Sequence, residues 1–212
     1  MIRRSTLALA LAAGLLVAGC GDSGETIIPV AGAAEIVGSY RTEPYRALDP
    51  AVIAPLEAQC RQAQGGAPMV PPAAALILAD ARGGGRLLLM FADPNGATSE
   101  CYGTIDANGR VMLEGGGGGA VEPGANVPPL GPLELGGLSG MSSSGGPGGS
   151  WSAQTGTLGP EIGGIVIELG DGTRIVATTA GGRYAAWWPG EQQPARILVY
   201  DRSGNLVREQ PY

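Results

Sequence analysis

The sequence predicts a mainly β protein: an antiparallel sheet body with one short N-terminal helix, for which α+β is the alternative label. Three observations carry this. Short apolar runs recur from Ala73 to Arg208, each bounded by Gly, Pro, Asn or Asp, which is the grammar of strands and turns. One stretch, around Ile53, Leu56 and Cys60, repeats apolar residues at helical spacing. The 38 glycines and 17 prolines leave little room for long helices.

In chain order, Asp49-Pro50 reads as a helix cap and a first-turn proline. Pro55 follows too soon, and a proline inside a helix costs about 3 kcal/mol. The expectation is therefore an irregular turn at 50–54, a helix over 55–64 and a stop at Gly65-Gly66. Strands are expected over 73–81, 87–92, 99–106 and 110–114. The turns between them are Arg82-Gly83-Gly84-Gly85, Asp93-Pro94-Asn95-Gly96 and Asp106-Ala107-Asn108-Gly109. Residues 115–149 hold 14 glycines and five prolines and are read as loop or linker. A second β block follows. Ile165, Ile167 and Leu169 alternate, Asp171-Gly172 turns, Thr173–Thr179 returns, and Arg183–Trp188, Ala195–Tyr200 and Leu206–Arg208 complete the set.

The N-terminus has a different grammar. Arg3 and Arg4 precede the apolar run Leu7–Val17, and Val17-Ala18-Gly19 supplies small residues before Cys20. This is the layout of a secretory signal peptide, and the apolar run is too short to span a bilayer. Val17-Ala18-Gly19-Cys20 resembles a bacterial lipobox. The resemblance implies cleavage before Cys20 and acylation of that residue. It makes the mature chain a lipoprotein on the outer face of the cell membrane, with the membrane itself a partner through the lipid on Cys20. Arg3-Arg4 followed by Ser5-Thr6-Leu7 fits the general export route better than the twin-arginine one. The resulting division is signal peptide 1–19, tether 20–40, helix and β-meander 41–114, Gly/Pro-rich insertion 115–149, and a C-terminal β block 150–212 packing on 41–114.

With Cys20 taken by lipid, Cys60 and Cys101 remain. In an oxidising exported compartment two such thiols are expected to pair. Buried free thiols or a redox centre are the alternatives, though no Cys-x-x-Cys supports the last. The segments Ala185-Ala186-Trp187-Trp188-Pro189-Gly190 and Tyr200-Asp201-Arg202-Ser203-Gly204 resemble the C-terminal region of uncharacterised exported proteins of high-GC actinobacteria. Leu78–Gly83 and Cys101 are similar to their earlier half. No activity comes with that resemblance.

The chemical inventory is sparse. The chain has no His and no Lys. That removes His-based nucleophile pairs, His zinc sites, the P-loop lysine and Ser-Lys dyads. No metal or cofactor is implied, and the Gly19, Gly21, Gly24 spacing straddles the cleavage site. A net charge of −6, more negative once Arg3 and Arg4 are cut away, disfavours nucleic acid. Carboxylate chemistry survives these exclusions, with Asp80, Glu100, Glu114 and Glu168 as strand-borne candidates that form no recognisable pair and are expected to face solvent. Asp93-x-Asn95-Gly96, Asp106-x-Asn108-Gly109 and Asp201-x-Ser203-Gly204 are too short for calcium loops and read as turns. Trp187 and Trp188 are adjacent, so a strand points them to opposite faces. One is expected in the core. The other is either a surface aromatic platform for sugar or peptide, or packed under the Gly/Pro stretch. The leading expectation is a non-enzymatic binding or regulatory module whose partner is an envelope protein or glycan. A carboxylate-using wall hydrolase and a structural spacer are the alternatives.

Overall fold

Asp49 starts the main helix as its sequence requires. Its carboxylate accepts from the Ala51 amide at 2.8 Å, and Pro50 occupies the first turn. The computed structural model describes residues 30–64, 67–119, 129–143 and 149–212. The signal peptide, Cys20, the start of the tether and the stop at Gly65-Gly66 lie outside the described residues.

The helix, α2, runs Pro50–Arg61 without a break, against the expected irregular turn at 50–54. Pro55 is tolerated because both it and Ala51, whose carbonyl loses its amide partner, face solvent. Val52, Leu56 and Cys60 form the buried stripe. A shorter helix, α1 (Ala33–Val37), precedes it inside the segment read as tether. Ile36 is fully buried and Ala31 nearly so. The described part of that segment is thus packed onto the body.

Fourteen strands follow among the described residues. β1 (Ala63–Gln64) and β2 (Ala67–Pro68) make a minimal pair. β3 (Ala75–Ala81), β4 (Arg86–Ala92), β5 (Thr98–Ile105) and β6 (Val111–Gly119) form an antiparallel meander in that order. β7 (Leu135–Ser143) and β8 (Trp151–Leu158) open a second sheet, ordered β11-β12-β8-β7, with β11 (Thr178–Ala180) and β12 (Arg183–Pro189). β9 (Ile162–Leu169), β10 (Arg174–Val176), β13 (Pro194–Asp201) and β14 (Leu206–Pro211) build the third, ordered β10-β9-β13-β14. The protein is mainly β, with three antiparallel sheets of four strands.

The sheets stack in layers, and burial shows the order. Leu87, Leu89 and Phe91 of β4 pack with α1 and α2 in one core. Leu88 and Met90, on the opposite face of β4, pack with Trp151, Ala153, Ala185 and Trp187. Tyr184, Ala186 and Trp188, on the far face of that second sheet, pack with Ile165, Ile167, Ile197 and Val199. The layers are helices, first sheet, middle sheet, third sheet. Strands covered on both faces need apolar residues at consecutive positions, hence Leu87–Phe91 and Ala185–Trp188.

The Cys60–Cys101 disulfide joins α2 to β5, with Cα atoms 6.1 Å apart. The Asp-led turns are built as read: Asp93 Oδ1 accepts from the amides of Asn95 and Ala97, and Gly96 takes φ 86°. Asp106 and Asp201 repeat the arrangement.

The sequence reading needs correction at three further places. The glycine run is not a linker: Gly115–Gly119 continue β6, and β7 lies inside the same stretch. Backbone pairing suffices there because β5 supplies a partner for each glycine from Gly115 to Gly119. Trp151–Leu158, for which the sequence predicts no strand, is a nearly wholly buried strand of the middle sheet. Thr173–Thr179 is two strands, because the chain crosses from the third sheet to the middle one at Ala177.

Candidate functional site

Stacked sheets lie about 10 Å apart and are normally kept closed by the side chains between them. Glycine supplies none. Along β6 the consequences differ by position. A Cβ on Gly115 would sit 2.6 Å from the Tyr102 hydroxyl, because that ring lies across the glycine. A Cβ on Gly117 would meet nothing within 4 Å. Facing it, β7 offers Gly137 and Ser139. The margin between first and middle sheets therefore stays open as a groove of about 570 Å³, lined by Thr98, Glu100, Tyr102, Gly117, Ser139 and Met141 among others.

Glu100 stands on β5, level with Gly117 of β6. Thr155 of β8 donates a hydrogen bond to its Oε1 across the layer. Burial pushes the carboxyl above the usual glutamate range, and the Thr155 hydrogen bond offsets part of that. Among the described residues no Arg pairs with it. Tyr102, beside it, is held edge-on to Trp151 with ring centroids 4.8 Å apart.

A second groove opens on the other side of β7, between the middle and third sheets. It has a volume of about 240 Å³ and is lined by Gly140, Ser142, Ser152, Gln154, Trp188 and Tyr212 among others. Gln154 is 1% exposed, and neither atom of its amide has a hydrogen-bond partner among the described residues. The Tyr184 hydroxyl lies beside that amide without a well-formed hydrogen bond; burial raises its pKa, and the nearby Gln154 offsets part of that. Ser152 donates to the Gly190 carbonyl at 2.9 Å and Trp188 Nε1 to the Gln192 carbonyl at 2.9 Å. Met141 of β7 lines both grooves.

The other acids are placed elsewhere. Asp80 does not face solvent. It is fully buried, bonded through both oxygens to Arg82, which is also fully buried, and it accepts from Thr178 of β11 at 2.9 Å. Arg82 also donates to the Thr42 carbonyl at 2.7 Å. This pair ties first sheet, middle sheet and N-terminal segment together. Glu114 is bonded to Arg86, whose guanidinium stacks 4.5 Å from the Trp151 ring centroid. Glu168 lies on the third sheet between Arg174 and Arg196, whose hydrogen bonds hold its carboxyl below the usual range. Of the four candidate acids, Glu100 alone lines the large groove. No group of three His, Cys, Asp or Glu side chains able to hold a metal occurs among the described residues.

Trp187 and Trp188 are both buried, 3% and 2% exposed, so neither is a surface platform. A sheet covered on both faces has a core on each side, which a reading of one face inside and one outside does not provide for. The groove residues of β6 and β7 escape the sequence reading because 115–149 reads as linker. The available signal was the lack of any turn residue between Val111 and Gly115, and the strand-like Thr and Trp of Trp151–Leu158. A scan against protein families, curated proteins and solved structures finds no match for this chain.

Proposed function

We propose that the chain is a lipid-anchored protein of the cell envelope, exported and acylated at Cys20, that binds another envelope component in the Glu100 groove. The observation that carries the binding reading is the groove itself. It exists because β6 and β7 present glycine and serine where an interlayer would otherwise be filled, and it is lined by Glu100, whose carboxylate has no cationic partner among the described residues. The Val17-Ala18-Gly19-Cys20 ending supports the anchor. Two acyl chains hold a protein stably at a membrane.

The wall-hydrolase alternative has less support. Glycoside hydrolysis ordinarily takes two acids about 5–9.5 Å apart, and Glu100 is the one acid lining this groove among the described residues. A spacer has no use for an open, carboxylate-lined groove.

The test compares wild type with Gly117→Phe, which fills the groove. Both are immobilised and exposed to solubilised envelope. Binding predicts a component retained by wild type and lost from the variant. Equal retention by both places binding elsewhere, and turnover of wall polymer lost in Glu100→Gln supports the enzyme instead. Fatty-acid labelling lost in Cys20→Ala tests the anchor separately.

A further inference from the structure

We infer that β7 receives an extended peptide as an added strand, with basic side chains of that peptide entering the Glu100 groove. The inference rests on the binding reading above and names the occupant.

The sheet edges of this protein are not alike. Edge strands normally carry charge or proline, stay short, or are covered, because bare edges recruit other chains. β14 carries Arg208, Glu209 and Pro211. β10 and β11 are three residues each. The end of β3 is covered by the N-terminal segment, through Tyr45 N–H to the Ala81 carbonyl at 3.0 Å and Arg41 N–H to the Arg82 carbonyl at 2.7 Å. β6 carries Glu114 and is bonded at Val111 and Leu113 by the Gln59 amide of α2, and its glycine end is the opposite rim of the Glu100 groove. β7 bends at a bulge between Gly136 and Ser139, but from Ser139 to Ser143 it has no charge, proline or cover. It is nine residues long, Leu-Gly-Gly-Leu-Ser-Gly-Met-Ser-Ser, with no charge and no proline, and no described strand pairs with its outer edge.

Its position gives the bare edge a purpose. β7 is the shared rim of both grooves. A strand added beside it would continue the middle sheet, and its side chains would alternate between the two faces of that sheet. One set would enter the Glu100 groove, the other the Gln154 groove. Glu100 offers a carboxylate with no cationic partner among the described residues. Gln154 offers a buried amide that lies beside the Tyr184 hydroxyl and makes no well-formed hydrogen bond among the described residues. The first fits a guanidinium or ammonium group; the second fits a hydroxyl or amide on a small side chain, as its lesser volume requires. The acidic balance of the chain favours a cationic partner as well.

The probe is a blocked nonapeptide alternating threonine and arginine, titrated into the detergent-solubilised full-length protein. Two isomers carry N-methyl groups on alternate amides, one set on each edge of the extended peptide. Strand addition predicts that one isomer binds at least tenfold more weakly and the other binds as the parent does. Glu100→Gln, which keeps an acceptor for Thr155, should weaken the parent at least tenfold with a melting temperature no lower than that of wild type. A peptide with glutamate in place of arginine should not bind. Equal binding of both isomers, or no effect of Glu100→Gln, overturns the inference. If no peptide binds while soluble wall glycan fragments perturb Ser139 and Met141, the inference fails and the binding reading stands. If neither class binds, both fail.

Discussion

Trp187 and Trp188 are neighbours in β12 and belong to two different cores. Trp187 packs toward Leu88 and Met90 of the first sheet; Trp188 packs toward Ile165 and Ile197 of the third. The middle sheet is thus held from both sides by consecutive residues of one strand. Truncating a buried Trp to Ala costs about 3–5 kcal/mol. Trp187→Ala and Trp188→Ala should each fall in that range by denaturant unfolding. A cost below about 1 kcal/mol at either position would mean that its face of the middle sheet is not packed.

The buried Asp80–Arg82 pair is expected to be costly to break and cheap to replace. Asp80→Ala leaves a fully buried guanidinium without its carboxylate, which destabilises by about 3–5 kcal/mol. Replacing both residues by Leu removes both charges together and should cost much less. Equal losses for the single and double variants in urea unfolding would contradict this.

Glu100 should make stability depend on pH in a definite direction. Its carboxyl titrates above the ordinary glutamate value of 4.5, chiefly because it is buried. A raised carboxyl favours the folded state fully below its unfolded value, and that contribution is lost as pH rises through the folded value. Glu100→Gln should therefore melt at or above wild type near pH 7. It should lose that advantage as pH falls toward 4.5 and below. Thermal melts across pH 3–8 check this, and an advantage growing at acid pH would refute it.

Two glycines of one run should answer differently to the same change. Gly115→Ala pushes its methyl into Tyr102, whose ring is fixed against Trp151. Overpacking of this kind costs about 1–3 kcal/mol. Gly117→Ala enters open space and should be neutral or stabilising, since Ala in a strand loses less backbone freedom on folding than Gly. Matching losses in chemical unfolding at both sites would show that the groove is closed.

Much of the first sheet was legible in the sequence, because each strand from Leu76 to Leu113 is bounded by an Asp- or Gly-led turn with a mechanism. The disulfide followed from counting thiols under the expectation of export. What escaped was tertiary. Gly115–Gly119 has almost no propensity for a strand, and pairing with β5 decides its conformation. The split at Ala177 follows from sheet stacking, which no local pattern of residues 173–180 encodes. Asp80 looked like an exposed strand acid because its partner, Arg82, was read as a turn residue. The grooves depend on which glycines face which layer, and that is fixed only when the three sheets are stacked.

The most direct test of the account uses Met141, which lines both grooves, against Met90, which is buried between the first and middle sheets. The full-length protein in detergent micelles is labelled at its methionine methyl groups and titrated with solubilised cell envelope. The Met141 methyl resonance should shift saturably while Met90 stays in place, and Gly117→Phe should abolish the shift. A saturable envelope interaction that leaves Met141 unmoved would contradict it.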